Sequence, residues 1–459
     1  MNRRAASAGL LAMLLGPRAV PLLASVFDAR PGHSSVPVQP ASFPLGLSEN
    51  RRYLVDAAGR PFLMTGDAAW SLIAQLTREE ADLYLAHRRE QGFNTLLVNL
   101  IEHKFSSNAP ANAYGEAPFR AAGGVDEPNE RYFDHAHSVV RLAREQGFLV
   151  LLVPAYLGWQ GGPEGWYEEM KAAGPATLLA YGRYLAGRFG GLDNVIWVHG
   201  GDFDDPDRSL ANAVAAGISA VAPRAIHTVH GAPDTVTPLY WKGERWLSID
   251  TVYTYGDVFR AVSAEYSRAP PMPVLLVESR YENEGDGDEQ RMREQAYGAI
   301  LGGAAGQIFG NSPVWHFSAR DLPFGKPGWR RALDSPGAAS IRNLARLFGA
   351  MEWWKIAPDD GAVLVAPKQG EGARAFCGVA TDASFAVVYS SGHAKLTVKL
   401  PWSGEEAASR LSVFDPAAGR AMVETPPLQR LGDAIGVQLP EQHNAGGFSD
   451  WVLVAARPA

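Results

Sequence analysis

The sequence predicts an α/β fold, a (β/α)8 TIM barrel followed by a small antiparallel β-sandwich domain. Between residues 60 and 355, eight short apolar runs alternate with longer amphipathic segments, which is the pattern of βα units around a parallel sheet. Eight such units suit a closed barrel, which usually needs about 250 residues or more. Residues 356–459 instead show short alternating runs separated by Gly, Pro, Asp and Ser, and this pattern predicts the β-sandwich.

The chain begins with a segment that we predict to be separate from the barrel. Arg3 and Arg4 precede an uncharged apolar stretch, residues 5–15, and this arrangement is typical of a secretory signal. The stretch is shorter than the roughly 20 apolar residues that cross a bilayer, so we expect no membrane span. We predict a signal-like leader at residues 1–29, export to the periplasm or the extracellular space, and a spacer rich in Pro and Ser at residues 30–47.

The predicted barrel domain covers residues 48–355, and its strand candidates are the apolar runs themselves. In chain order they are Phe62–Thr65, Thr95–Leu100, Leu149–Ala155, Val195–His199, Ala225–His230, Leu247–Tyr253, Val274–Glu278 and Gln307–Asn311. A doubly wound open sheet is the alternative architecture. It is disfavoured because no Gly-x-Gly-x-x-Gly motif follows the first strand.

Two helix ends in this part of the chain have recognisable patterns. The first long helix is predicted to begin at Thr77, because Thr77 and Glu80 have the spacing of a capping box, and to end at Gly92. The segment Arg89–Phe93 (REQGF) recurs as Arg144–Phe148, each time before a strand. We interpret the repeat as one structural joint used twice, in which a helix ends at a glycine and a buried strand follows.

Composition and charge exclude several classes of function. The 459 residues include 42 Lys plus Arg and 49 Asp plus Glu, a formal charge of -7, and no basic run is present. We therefore expect no nucleic-acid partner. Cys377 is the only cysteine, which excludes an internal disulfide, a cysteine-based zinc site and an iron–sulfur cluster. We predict neither a metal nor a cofactor.

Two carboxylates are the candidate catalytic residues, because each follows an otherwise apolar strand. Asp202 follows the strand Val195–His199, and Glu278 ends the strand that begins at Val274. A charge that continues a buried strand is costly unless it faces a polar cleft, and reacting groups of barrels lie at this end of the strands. The two strands lie across the barrel from each other. Such a pair suits cleavage of a glycosidic bond, in which one carboxyl protonates the leaving oxygen and the other attacks the sugar or stabilises its cation.

Polar and aromatic residues at the other strand ends are predicted to line a sugar pocket. Trp and Tyr rings match sugar faces and keep a polar edge, which is why these residue types suit such a pocket. The predicted pocket residues are Asp67, Trp70, Asn99, Tyr156, His230, Tyr253, Tyr281 and Trp315.

Each of these residues also has a purely structural alternative. Asp67 could cap the next helix, Asn99 could satisfy loop backbone, and the tyrosines could pack the barrel rim. His199 and His230 could be satisfied core histidines. The alternative for Asp202 is a solvated or calcium-binding acidic turn, and for Glu278 it is an ion pair with an arginine.

Four segments of the chain, taken in order, resemble a known family. The segments are Leu54–Trp70, Arg88–Asn94, Asn194–Asp202 and Pro273–Glu282. Together they resemble the family once labelled domain of unknown function 4038, which is similar to glycoside hydrolase family 140, whose characterised activity is on apiose-containing side chains of plant pectin. Residues 356–459 resemble the accompanying domain, described as a collagen-binding domain of a collagenase.

The resemblance implies an apiosidase-like glycoside hydrolase acting on plant cell-wall type oligosaccharides. It implies an acid/base Asp after the fourth strand and a nucleophilic Glu after the seventh, which Asp202 and Glu278 match. We expect a retaining mechanism, which requires carboxyl groups about 5 to 5.5 Å apart rather than about 6.5 to 9.5 Å. Two departures bear on the substrate: Ala68 stands where the family usually has Thr, and Gly201 stands where many related barrel glycosidases have Asn.

Two other functions compete with this hypothesis. The chain could be a non-catalytic carbohydrate- or matrix-binding protein, although both carboxylates are present. A metallopeptidase is disfavoured because no His-Glu-x-x-His occurs, and the pair His135 and His137 lacks a matching Glu motif. The sequence leaves open the sugar, its linkage, exo or endo action, and the oligomeric state.

Overall fold

The computed structural model describes residues 41–120, 124–318, 328–367, 374–402, 410–424 and 426–457. The predicted leader, residues 1–29, and residues 30–40 of the predicted spacer lie outside this part of the chain. None of the described helices combines the length and the apolar character needed to cross a membrane.

A three-stranded antiparallel sheet precedes the barrel, with strands β1 Gly46–Leu47, β2 Leu54–Val55 and β3 Pro61–Phe62. Leu45, Leu54 and Phe62 are buried in one apolar cluster with Met64 of the barrel, so this sheet covers one end of the barrel interior. The predicted spacer, residues 30–47, overlaps this sheet at residues 46 and 47, and its boundary stays a prediction. Residues 46 and 47 form β1 and pair with β2. The burial of the neighbouring Leu45 and Leu54 side chains against the barrel holds this pairing in place.

Eight parallel strands form the barrel and confirm the predicted fold class. They are β4 Met64–Ala68, β5 Thr95–Asn99, β6 Leu149–Val153, β7 Val195–Gly200, β8 His227–His230, β9 Asp250–Tyr253, β10 Val274–Glu278 and β11 Gly306–Phe309. Their order is β8-β7-β6-β5-β4-β11-β10-β9. Between β8 and β9, His227 bridges Leu247, and Thr251 Oγ1 donates to the Val229 carbonyl at 2.6 Å, so the two ends of the sheet meet. The predicted first strand, Phe62–Thr65, spans parts of β3 and β4 and so joined two separate elements.

Helices connect the strands and pack on the outside of the barrel. Their bounds are Leu72–Gln75, Arg78–Glu90, Glu130–Glu145, Tyr167–Phe189, Ser209–Val221, Thr237–Tyr240, Val258–Tyr266, Glu289–Leu301, Trp329–Ala332 and Pro336–Gly349. Thr77 and Glu80 form the predicted capping box. Gly92 and Gly147 both follow helix ends with positive φ, +84° and +83°, which confirms that the repeated REQGF segment is one joint used twice.

The C-terminal domain consists of two antiparallel sheets, as predicted. Its strands are β12 Ile356–Pro358, β13 Leu364–Ala366, β14 Arg374–Ala380, β15 Phe385–Ser391, β16 Lys395–Val398, β17 Leu411–Asp415, β18 Arg420–Ala421, β19 Leu428–Leu431, β20 Ala434–Gln438 and β21 Asp450–Ala456. One sheet has the order β12-β14-β15-β21-β17-β18 and the other the order β13-β16-β20-β19.

The six-stranded sheet packs directly on the barrel helix Glu289–Leu301. Arg293 of this helix forms a fully buried ion pair with Asp450 of β21, in which Nε lies 2.7 Å from Oδ2 and Nη2 lies 2.9 Å from Oδ1. Tyr297 stacks on Tyr389 of β15 with ring centroids 5.2 Å apart. The barrel and the sandwich therefore share one apolar core rather than meeting at a polar boundary.

Candidate active site

The two predicted carboxylates meet at the carboxyl end of the barrel, with His230 beside both. One oxygen of Asp202, one oxygen of Glu278 and one nitrogen of His230 all lie within 4.8 Å of one another. Asp202 is partly buried, and Glu278 and His230 are buried. The turn after β7, the end of β8 and the end of β10 supply these three residues, so the barrel topology brings them together from distant parts of the chain.

Two glycines at the end of β7 determine where the Asp202 side chain points. Gly200 and Gly201 have φ values of +87° and +130°, and Asp202 itself has φ +47°. A Cβ atom on Gly201 would lie 2.2 Å from Cδ2 of Tyr156, and one on Gly200 would lie 2.5 Å from the His230 carbonyl oxygen. Only glycine fits both the space and the backbone conformation. The turn brings the Asp202 carboxylate within 2.8 Å of the Tyr156 hydroxyl, which donates to Oδ2.

A β-bulge turns the Glu278 side chain toward the barrel interior. Leu275 and Val277 already pack in the interior cluster, so regular alternation along β10 would direct the next side chain outward. The pairing with β9 shifts between Leu276 and Glu278, and Glu278 pairs with Tyr253, which is itself part of the interior cluster. Bulges occur next to active sites, where they redirect a side chain in this way.

His230 connects the two carboxylates through its two ring nitrogens. Nε2 lies 2.8 Å from Oε2 of Glu278. The backbone amide of Asp202 donates to Nδ1 at 3.3 Å, so when the ring is neutral this contact favours the tautomer that donates an Nε2 proton to Glu278. Burial lowers the pKa of His230, but the hydrogen bond to Glu278 and the two nearby negative charges raise it overall. A second proton on Nδ1 would face Oδ1 of Asp202 at 3.4 Å.

The carboxyl group of Glu278 holds a proton more readily than an ordinary glutamate. Burial, followed by the negative charge of Asp202, raises the pKa of Glu278 to about 7, and the contact with His230 partly offsets this rise. Two carboxylates this close cannot both ionise easily in a site with little water. The pair therefore binds one proton near neutral pH, as the chemistry of an acid and a base acting together requires.

Aromatic side chains form the walls around this pair. Trp70 Nε1 donates to the Tyr281 hydroxyl at 2.8 Å, and the Trp70 ring lies 5.3 Å from the His230 ring and 5.9 Å from the Tyr156 ring, measured between centroids. Tyr253 lies 5.1 Å from His230, also between centroids. Burial raises the pKa of Tyr156 and of Tyr253, so both phenols stay protonated and can donate hydrogen bonds. With His230, the structure thus brings five of the eight predicted pocket residues next to the carboxylates.

Two further predicted residues, Asn99 and Trp315, lie at the same end of the barrel. Asn99 ends β5, where Leu97 two residues earlier packs in the barrel interior, and its buried Oδ1 has no hydrogen-bond partner within the protein. Trp315 is partly exposed, and its Nε1 donates to Oε1 of Glu284 at 3.0 Å. Its ring lies 5.2 Å from that of Phe105.

The prediction that Asp67 lines the pocket is not supported by its surroundings. Its side chain is fully buried toward the helix Arg78–Glu90, where Oδ2 accepts from Arg88 Nε at 2.7 Å and from the Tyr84 hydroxyl at 2.5 Å. Met64 and Ala68 of the same strand pack in the barrel interior, so the alternation along β4 places Asp67 on the outer face. Burial raises the pKa of Asp67, and the charge of Arg88 opposes that rise.

Three residues near the pocket were not among the predicted pocket residues. Phe105 touches both Tyr156 and Trp315, Glu284 accepts from Trp315, and the half-exposed Tyr255 has its hydroxyl 2.6 Å from that of Tyr253. The position of Tyr255 just beyond β9 was a usable signal. Phe105 and Glu284 lie in loops, and nothing in their local sequence pattern marks them.

The three residues at the centre are also the one group of metal-ligating side chains that lies close together in the described ranges. Both ring nitrogens of His230 already contact Asp202 and Glu278, so the imidazole has no free lone pair directed away from the carboxylates. Of the two Asp202 oxygens, Oδ2 accepts from Tyr156, whereas Oδ1 is buried without a hydrogen-bond partner. His199, another strand-end histidine, is not part of this group. Its Nε2 lies 3.0 Å from Nδ1 of His227.

Comparison with known proteins adds a family and a fold. The family model described as "Apiosidase-like, catalytic domain" matches residues 48–355. No curated protein sequence matches the chain. The match does not extend to residues 356–459, so the resemblance of that segment to a collagen-binding domain stays a prediction.

Two solved structures share the arrangement of barrel and sandwich. One is described as a glycoside hydrolase, with 21% sequence identity and a TM-score of 0.75, and covers 91% of this chain and 98% of its own. The other is a glycoside hydrolase family 5 protein from Bacteroides vulgatus, also with 21% identity and a TM-score of 0.75, covering 90% of this chain and 93% of its own. At this identity the similarity establishes the fold of both domains.

Proposed function

The chain belongs to the apiosidase-like family and is a glycosidase, and on that premise we propose that it hydrolyses glycosidic bonds with retention of configuration. Asp202 is the general acid/base and Glu278 the nucleophile. The observation that carries the proposal is the distance of at most 4.8 Å between an oxygen of Asp202 and an oxygen of Glu278. Inverting enzymes keep their carboxyl groups about 6.5 to 9.5 Å apart to admit a water molecule, whereas retaining enzymes need only about 5 to 5.5 Å.

In the first step, protonated Asp202 gives its proton to the glycosidic oxygen as the bond to the anomeric carbon breaks. The carboxylate of Glu278 attacks that carbon and forms a covalent glycosyl ester, and the leaving group departs as a neutral alcohol. Burial still raises the pKa of Glu278, but protonation of Asp202 removes the negative charge that adds to this rise. The hydrogen bond from His230 Nε2 then supports Glu278 in its ionised form.

In the second step, water replaces the leaving group. Asp202, now ionised, accepts a proton from water, the hydroxyl attacks the anomeric carbon, and the bond to Glu278 breaks. Glu278 regains its carboxylate, Asp202 regains its proton, and the sugar leaves with its original configuration. The Tyr156 hydroxyl donates to Asp202 Oδ2 and supports the ionised form in this step.

The proposed substrates are apiosides in plant cell-wall oligosaccharides. The family description supports this choice, and the walls formed by Trp70, Tyr156, Tyr253 and Tyr281 give the flat apolar faces and the hydrogen-bond donors that a sugar ring needs. We also propose export of the protein, because its first residues have the pattern of a secretory signal and polymeric wall material lies outside the cell.

The test is a screen of the purified chain against plant-wall oligosaccharides, with and without apiose, using three variants. We expect the wild type to release apiose. Glu278→Gln abolishes turnover, and Asp202→Asn abolishes it on substrates whose leaving group needs a proton. Glu441→Gln, a change in an exposed carboxyl group of the sandwich, keeps full activity. Full activity of Glu278→Gln would contradict the assignment of Glu278 as the nucleophile. Release of a sugar other than apiose would contradict the proposal that the substrates are apiosides.

A further inference from the structure

A compact loop between β6 and the helix Tyr167–Phe189 carries one exposed tryptophan, and its backbone contacts that of Asp202. The loop starts at Tyr156 and closes on itself, because the Trp166 amide donates to the Tyr156 carbonyl at 2.7 Å. Trp159 lies near its tip and is 48% exposed. No aromatic ring in the described part of the chain stacks on the Trp159 indole, although other aromatic rings around the pocket pack on one another.

The loop has a conformation that a flexible connection would not need. Gly158 has φ +93° and Gln160, although not a glycine, has φ +54°. A Cβ atom on Gly165 would lie 2.1 Å from the backbone nitrogen of Gly158, so the two ends of the turn are in direct contact. The Trp159 amide donates to Oε1 of Glu164 at 2.6 Å. A backbone this constrained fixes the position of the exposed Trp159 side chain. The free-energy cost of such backbone strain is usually found at functional sites.

Backbone hydrogen bonds join this loop to the residue that carries the general acid. The Gln160 amide donates to the Asp202 carbonyl at 3.3 Å, and the Leu157 amide donates to the Gly200 carbonyl, also at 3.3 Å. The peptide between Trp159 and Gln160 therefore lies directly against Asp202. In the proposed mechanism Asp202 protonates the leaving oxygen, so the loop that carries Trp159 borders the side of the site from which the leaving group departs.

We propose that Trp159 binds the leaving-group sugar of an oligosaccharide substrate by stacking its exposed indole on the apolar face of that sugar. This inference rests on the proposed function and specifies its substrate: a glycan with a further sugar ring beyond the bond that is cleaved. A flat, exposed and rigidly held ring suits a sugar face, since it loses little conformational freedom when it binds. Trp159 is a binding residue here and takes no part in proton transfer.

The experiment compares two substrates that differ only in the leaving group. One is an apiosyl disaccharide, and the other is apiosyl fluoride, whose leaving group is a fluoride ion that cannot contact the indole. Trp159→Ala is expected to lower kcat/KM for the disaccharide by about tenfold, the size typical of a well-placed interfacial tryptophan, and to leave kcat/KM for the fluoride unchanged. Trp159→Phe keeps a flat ring and restores most of the loss. Leu431→Ala, an exposed apolar truncation on the sandwich, changes neither value.

Two results would overturn the inference while leaving the proposed function intact. The first is a Trp159→Ala variant that hydrolyses the disaccharide as fast as the wild type. The second is an equal loss on both substrates, which would mean that the loop acts by positioning Asp202. A wild type that hydrolyses neither substrate would overturn the proposed function itself, and the inference with it.

Discussion

The Nε2 atom of His230 lies 2.8 Å from Oε2 of Glu278, and both side chains are buried. The same imidazole accepts from the backbone amide of Asp202 through Nδ1. One ring therefore contacts both members of the carboxylate pair. A hydrogen bond to an ionised carboxylate in a buried site is stronger than one between neutral groups, so His230 affects which carboxyl group binds the shared proton.

Replacing His230 by Asn is expected to move the acidic limb of the pH–rate profile to higher pH. Glu278 acts as nucleophile only when ionised, so kcat/KM falls as the pH falls through its pKa of about 7. His230 lowers this pKa through its Nε2 contact, and a shorter Asn side chain loses that contact. We expect the limb to move up by about one to two pH units, since a hydrogen bond to a charged group contributes about 1.5 to 3 kcal/mol.

His230→Gln is the matched control for this change. The longer amide side chain can place its NH2 group near the position of Nε2, so the limb is expected to stay closer to that of the wild type. Measurement of kcat/KM between pH 4 and 9 for the three proteins distinguishes these cases. The same displacement in both variants, or none in either, would contradict the role of the Nε2 contact.

Gly201→Ala is expected to impair both stability and catalysis. The new Cβ would lie 2.2 Å from Cδ2 of Tyr156, at a backbone φ of +130° that alanine rarely adopts. Backbone strain of this kind costs about 1 to 3 kcal/mol, and displacement of the Tyr156 ring breaks its hydrogen bond to Asp202. Urea unfolding measures the first effect, and kcat on the apioside measures the second.

Gly187→Ala provides the comparison for this substitution. Gly187 lies in the helix Tyr167–Phe189, and a Cβ there would meet nothing within 4 Å. We expect this variant to be more stable by about 0.5 to 1 kcal/mol, because alanine favours the helix, with unchanged activity. If Gly201→Ala behaved like Gly187→Ala, the tight turn before Asp202 would not be required.

Asp450→Asn is expected to destabilise the whole protein rather than the sandwich alone. Asp450 accepts two hydrogen bonds from Arg293, one from Tyr389 and one from Asn444, all in the shared core. Removing one charge of a buried pair usually costs about 3 to 5 kcal/mol, because the other charge is left without a partner. We expect a single unfolding transition at a clearly lower Tm in calorimetry.

Asp433→Asn removes one partner of an exposed ion pair in the same domain, Lys399 to Asp433. Solvent screens this pair, so Tm should not change. If Asp450→Asn left Tm equally unchanged, or lowered only one of two separate transitions, the two domains would not depend on a common core. The shared core also means that residues 356–459 alone are a poor test of carbohydrate or matrix binding.

The barrel and the carboxylate pair could be predicted from the sequence because both follow from periodic patterns. Apolar runs at regular spacing predict parallel strands, and a charge after a buried run, as at Asp202, predicts a polar cleft at the strand end. The capping box at Thr77 and the repeated glycine joint depend only on local residues, and both are present as predicted.

Features that depend on contacts between distant residues could not be predicted in this way. The direction of the Glu278 side chain depends on a bulge in the pairing of β10 with β9. No residue in the local sequence predicts this bulge. The side chain of Asp67 points outward because β4 continues to Ala68, three residues past the predicted end at Thr65, and the alternation along the strand places Asp67 on the outer face. The burial of Leu45 against the barrel, which extended the fold into the predicted spacer, likewise depends on its distant partners.

The most direct test of the central claim is covalent labelling of the nucleophile. A 2-deoxy-2-fluoro apiosyl fluoride forms the glycosyl-enzyme rapidly and releases it slowly, so the intermediate accumulates and can be located by mass spectrometry. Trypsin releases residues 269–280, and Glu278 is the only carboxyl side chain in that peptide. We predict one label per chain on this peptide and none in Glu278→Gln. A label on the peptide that contains Asp202, or an unlabelled enzyme that turns over with inversion, would contradict the account.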